Sequence, residues 1–186
     1  MPARRLTITA NQEPLTLYEA KAHLRAADCD DEDSLIAALI ATARQALEDR
    51  LQRALVTSNW RLSLPAFSEA LELPMPPVVS VQALRYWDAT GVLQTLPPSA
   101  YLLDAVAEPA KLVPAPGTAW PATQERPNAV EVDYTTGYAQ LPAPLRQWML
   151  LAIGDLYARR ERSSEKPAVP QDFADGLLDP YRIFSV

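Results

Sequence analysis

The residue types that carry most protein chemistry are scarce in this chain. It has one cysteine, Cys29, and one histidine, His23. A structural zinc site draws on about four Cys or His ligands and a His-based catalytic one on two or three, so His/Cys zinc chemistry within one chain is excluded. The lone cysteine also forbids an intrachain disulfide, and nothing asks for an oxidising compartment. Asp28 and Asp30 flank Cys29, and negative neighbours raise a thiol pKa, which disfavours a nucleophilic role. A serine–histidine–acid triad would have to use His23, in the helical stretch Tyr18-Glu19-Ala20-Lys21-Ala22-His23. No serine sits on a sharp strand-to-helix turn to serve it. His23 reads as a surface or helix-packing residue.

Phosphate chemistry fails on glycine spacing. Gly91, Gly117, Gly137, Gly154 and Gly176 never come closer than 17 residues. A phosphate-cradling loop or dinucleotide fingerprint needs glycines a few residues apart, so both are absent. The acidic run Asp28, Asp30, Asp31, Glu32, Asp33 lacks the glycine turn and distal Glu of a calcium loop. It reads as a helix start, where acids meet the positive end of the dipole. No metal or cofactor is expected.

Glu131 and Asp133 remain as a carboxylate pair on one face of a strand. Such a pair can serve general acid and base chemistry, and a small carboxylate-based hydrolase is the alternative function it suggests. That reading requires a concave pocket and a raised carboxylate pKa. The plainer reading is the solvated face of an amphipathic strand, with both side chains exposed. Trp60, Trp87, Trp120 and Trp148 are scattered over core positions and do not interleave with basic residues as a stacking platform would. Arg159, Arg160 and Arg162 form one basic cluster, which a helix C-terminus explains as well as a phosphate contact does.

The elements that position these residues follow from proline placement. Residues 15–64 and 145–166 contain no proline, whereas residues 65–127 contain eleven of the 18. Because proline removes a donor and fixes φ, the order reads helical, then strands and turns, then helical. Thr16 and Glu19 have the spacing of a capping box that opens a helix over residues 17–26. A second helix over residues 32–55 carries Ile36, Ile40, Ala43, Leu47 and Leu51 at spacings of three or four, widened by Leu35 and Leu39. Residues 60–64 and 130–134 alternate apolar with polar as half-buried strands do. Residues 78–87 form a longer strand, followed by a hairpin turn at Asp88-Ala89-Thr90-Gly91. Residues 71–73 and 101–103 are shorter strands, and residues 109–127, with five prolines, read as an irregular connection.

Prolines at 142 and 144 open the last helix. Its stripe of Leu145, Trp148, Met149, Ala152, Ile153, Leu156 and Tyr157 leaves Leu150 and Leu151 off the main face. A mobile polar linker over residues 163–170 then leads to a tail rich in apolar residues. The expected class is α+β. Residues 1–55 form the N-terminal helical part of the core, residues 56–138 an inserted antiparallel β-region, and residues 139–186 the C-terminal helix, linker and docking tail. Their net charges are −2, −4 and 0, which sum to the total of −6. That balance argues against a generic nucleic-acid coat. No stretch of about 18 apolar residues occurs and the N-terminus is too polar for a secretory signal, so the expectation is a soluble protein made in a reducing cytoplasm.

Excess apolar surface is therefore the main functional signal, because exposed apolar segments mark protein interfaces. The ordered set Leu15-Thr16-Leu17-Tyr18-Glu19-Ala20-Lys21-Ala22-His23-Leu24-Arg25, Asp33-Ser34-Leu35-Ile36, Ala41-Thr42-Ala43-Arg44, Tyr134-Thr135-Thr136-Gly137-Tyr138, the helix from Pro142 and the tail Leu177-Leu178-Asp179-Pro180-Tyr181-Arg182 resembles a known family. It is similar to the head-tail connector proteins of long-tailed, lambda-like double-stranded DNA phages and prophages, often described as DNA-packaging proteins. The proline-rich β-insertion is longer than in the smallest members.

The resemblance implies a non-enzymatic protein that forms a homo-oligomeric ring, a dodecamer in the virion, on the portal protein. The ring extends the DNA channel and receives the next connector or tail-completion protein, with DNA passing non-specifically through its lumen and no membrane involved. Assembly takes place in the bacterial host cytoplasm, and the final location is the virion neck. The residues expected between subunits are Leu39, Leu150 and Leu151. Phe173, Leu177, Leu178, Tyr181, Arg182, Ile183 and Phe184 are expected to form a docking tail. A generic protein-binding adaptor is the remaining alternative.

Overall fold

The computed structural model of the chain describes residues 3–8, 13–26, 30–159 and 172–183. The fold is α+β, with two compact units. One comprises Met1–Asn11 and Val56–Ala139, the other Gln12–Leu55 and Gln140–Val186.

The first unit holds two antiparallel sheets. Strands β1 (Ala3–Ile8), β2 (Ser58–Leu64), β4 (Val78–Trp87), β5 (Leu93–Leu96) and β8 (Val130–Thr136) make a five-stranded sheet in the order β1-β2-β8-β4-β5. Strands β3 (Leu71–Leu73), β6 (Tyr101–Asp104) and β7 (Ala110–Pro114) make a three-stranded one in the order β3-β7-β6. The core of this unit consists of Leu62, Leu71, Leu73, Val78, Leu84, Leu112, Val130, Val132 and Tyr134, with smaller contributions from Tyr101 and Ala110. The Tyr134 hydroxyl donates to the Pro74 carbonyl at 3.1 Å, satisfying its one polar atom, and burial pushes its pKa up.

Two expectations change here. Strand β1 pairs with β2 from Ala3 opposite Leu62 to Ile8 opposite Ser58, although the sequence signalled no strand before residue 17. Within the supposed irregular connection, β7 is the centre of its sheet. Its prolines sit immediately before the strand and at its last residue, so residues 110–113 keep their donors. The remainder, residues 115–129, is irregular apart from a bridge between Thr123 and Asp88.

In the second unit, α1 (Leu17–Leu24), α2 (Asp33–Leu51) and α3 (Ala143–Ala158) pack against one another. A short helix, α4 (Asp172–Gly176), contacts α3. Thr16 and Glu19 form the anticipated capping box: the Thr16 hydroxyl accepts from the Glu19 N–H at 3.2 Å, and the Glu19 carboxylate accepts from the Thr16 N–H at 2.9 Å. Helix α2 stops at Leu51 rather than residue 55. Gln52 turns left-handed at φ 53°, and Glu48 Oε1 accepts the Leu55 N–H at 3.0 Å, so the chain leaves the helix with that donor satisfied. Ile36, Ile40, Ala43, Leu47 and Leu51 are buried as the periodicity required, and α2 packs on α3, whose Leu145, Met149 and Ile153 are buried too.

Candidate functional site

Asp133 lies on the face of β8 opposite the core residues Val132 and Tyr134, beside Arg61 of β2 and Arg85 of β4. Arg61 grips its carboxylate with two hydrogen bonds, Nε to Oδ1 at 2.6 Å and Nη2 to Oδ2 at 2.9 Å, and Arg85 Nη2 also donates to Oδ2. Glu131 Oε2 stands 3.7 Å from each guanidinium. Burial alone would raise the Asp133 pKa, but the hydrogen bonds and charges of Arg61 and Arg85 outweigh it and hold the group below the usual carboxylate range. A general acid needs the opposite shift. Neither sequence reading of this pair fits: Asp133 is 9% exposed because two long side chains cover it, and the covering groups stabilise its charged form.

Further buried charges lie in the helical unit. Arg44 donates from Nε and Nη2 to both oxygens of Glu13, at 2.7 and 3.2 Å, and from Nη1 to Glu48 at 2.9 Å. Lys21 reaches Asp30 at 2.9 Å and Asp33 at 2.8 Å. These carboxylates raise the lysine pKa, so the acidic run ties α1 to the start of α2. Among the described residues no group of three or more His, Cys, Asp and Glu could hold a metal ion. Tyr157 of α3 donates to Glu32, and Arg146 pairs with Glu19. His23 is exposed on α1 beside Gly154, while Cys29, Arg160 and Arg162 fall outside the described residues.

The tail is held by its own helical unit. Arg50 meets Asp175 at 2.6 Å, and Arg53 Nε donates to the Tyr181 carbonyl at 2.6 Å. Leu178 has no exposed surface in this unit and anchors the tail from within. Leu177, Tyr181 and Ile183 are half-buried and Arg182 is exposed. Phe184, the side chain of Phe173 and the linker over residues 163–170 lie outside the described residues. Leu39, Leu150 and Leu151 are half-buried. The sequence reading missed Tyr18, 80% exposed on α1, and the exposed Leu156 of α3.

The β unit also exposes apolar side chains. Val106 lies at the β6–β7 turn with 93% of its surface free, held there by Asp104 Oδ1, which accepts from the Val106 and Ala107 N–H groups at 3.0 and 3.1 Å. At the β4–β5 hairpin, Val92 and Leu93 are exposed. Asp88 fixes this turn by accepting from Thr90 Oγ1, the Val92 N–H and Gln94 Nε2 at 2.6, 3.0 and 2.9 Å. Those donors hold its carboxyl well below the usual range.

No protein-family model matches the chain, and no curated protein matches it. Solved structures do. The chain is similar to one in the neck of an empty gene transfer agent (GTA) particle computed with C6 symmetry, at 28% identity and a TM-score of 0.79, covering 100% of this chain and 97% of that one. A chain of the virion of a native GTA particle gives 27% identity, a TM-score of 0.79 and the same coverage. A chain from the neck of a native GTA particle computed with C12 symmetry gives 26% identity and a TM-score of 0.73, again with 100% and 97% covered. The likeness spans both units.

Proposed function

We propose that this chain is a head-tail connector, a structural protein of a phage or phage-like particle. The observation that carries the reading is the likeness over essentially full length to chains from particle necks, at 26–28% identity. The arginine-neutralised Asp133 adds support, since the Glu131–Asp133 pair that the hydrolase alternative would use has an environment of the wrong sign for an acid catalyst. In this reading the protein is no enzyme and takes no cofactor.

Copies form a ring, twelve in the virion, on the portal protein. The ring sits in the neck, receives the next connector or tail-completion protein and lets DNA pass. Its kinship with the lambda-like connectors rests on the sequence motifs, and its assembly belongs to the bacterial host cytoplasm. Leu39, Leu150 and Leu151 supply the contacts between copies: a head-to-tail interface uses two different patches of one subunit and closes when the rotation divides a full turn. The helical parts and tail form the assembly core, with the β-region inserted between them. Of the tail, Phe173, Leu177, Tyr181, Arg182, Ile183 and Phe184 remain for docking on the portal or a neighbour, while Leu178 holds the segment in place. A net charge of −6 suits a conduit through which phosphate chains must slide without being held.

Light scattering with and without purified portal tests the reading. A stable multi-copy complex on the portal is expected, and Leu150→Asp with Leu151→Asp should abolish it in a variant whose circular dichroism still shows the parent's helix content. A chain that neither binds portal nor associates overturns it.

A further inference from the structure

The tail that would dock on another protein is already seated on its own unit. Leu178 has no exposed surface, and Leu177, Tyr181 and Ile183 are half-buried. Apolar surface covered in this way is not available to a partner. The seating itself is slight. Helix α4 has five residues, too few to persist as a helix alone. The N–H groups of Leu177, Leu178, Tyr181 and Arg182 donate to the carbonyls of Ala174, Asp175, Leu178 and Asp179, within the tail itself. The polar contacts that reach α2 and the turn after it are made by side chains: Arg50 with Asp175, and Arg53 with the Tyr181 carbonyl, each at 2.6 Å. Arg50 and Asp175 are both more than a third exposed, and such pairs contribute little.

The seat also carries a flaw. Among the described residues, the indole N–H of Trp148 on α3 is a buried donor without a hydrogen bond, on a side chain only 7% exposed. It lies beside the same carboxylate: Arg50 first, and the Trp148 indole after it, hold Asp175 below the usual carboxyl range. Arg50 takes the carboxylate and the indole goes unmet, which destabilises the seated state. A segment held by one buried leucine, an exposed ion pair and an imperfect polar contact belongs to the low-stability end of a fold, where local opening occurs.

We propose that the seated tail is an autoinhibitory latch: the free chain keeps its docking residues folded on its own helices, and the portal protein binds the tail once it is released. The inference rests on the connector reading and adds its regulation, since a copy whose tail is held in has little to offer until it meets the portal. A binding-competent state that is only fractionally populated weakens the apparent affinity by that fraction, so loosening the latch tightens portal binding. Arg50 lies on α2 and outside the tail, so its loss acts on the latch while every docking residue is kept.

Portal titrations of the full chain, Arg50→Gln, Asp175→Asn and the double variant test this, with amide exchange over residues 174–182 measured on each protein free. Both single variants should exchange faster there and bind portal about threefold more tightly. The double variant should bind no more tightly than either, because both changes remove one ion pair. Faster exchange with unchanged or weaker portal binding overturns the latch and leaves the connector reading standing. Unchanged exchange overturns the latch as well, because the pair then does not hold the tail. Absence of portal binding in all of these proteins removes the connector reading and the latch with it.

Discussion

Arg44 shows how a single position can be misjudged from sequence. On the helical wheel it is one more polar residue, yet it is buried against Glu13 and Glu48. Removing one partner of a buried pair leaves an uncompensated charge, so Arg44→Ala should cost about 3 kcal/mol in denaturant unfolding. Asp133 makes a pH-dependent prediction. Its folded pKa lies below the unfolded value of about 3.9, so its contribution is present above that value and is lost as pH falls through the folded pKa. Asp133→Asn should therefore destabilise by about 2 kcal/mol at pH 7, and the gap to the parent protein should narrow when unfolding is measured near about pH 3. Gly137 sits at φ +117°, and an added Cβ would lie 2.4 Å from the Val56 carbonyl oxygen. Gly137→Ala should cost at least about 2 kcal/mol, read as a lowered Tm.

At the scale of elements, the strands and helices with clean periodicity were legible: residues 78–87 and 71–73 match β4 and β3, and the capping box opens α1 where Thr16 and Glu19 place it. The errors have physical causes. Strand β1 is an edge whose pairing comes from β2, a long-range contact that no local pattern announces. Strand β7 was hidden because proline density was averaged over residues 109–127, although residues 110–113 between Pro109 and Pro114 are proline-free. The end of α2 depends on the Glu48 side chain reaching the Leu55 N–H, and no propensity encodes that bond. In the tail, Leu178 and Leu177 are adjacent and chemically identical, but one is buried and the other half-exposed; only the packed helices decide which. Leu178→Ala should free the tail, raising amide exchange over residues 172–183 while α2 and α3 keep their protection, at a local cost of about 3 kcal/mol.

For the whole molecule, the sequence carried the α+β order, and motif resemblance carried the connector reading. The surfaces were less visible, because exposure at Tyr18 or Val106 depends on what the rest of the fold leaves uncovered. Two units with separate cores, one rich in helix and one in strand, suit a protein that must hold copies together and also present a face to a neighbour. The most direct test is the mass of the complex formed when the purified chain is mixed with portal. The account predicts a multi-copy assembly of defined stoichiometry that fails with Leu150→Asp and Leu151→Asp; a chain that stays single at every portal concentration would contradict it.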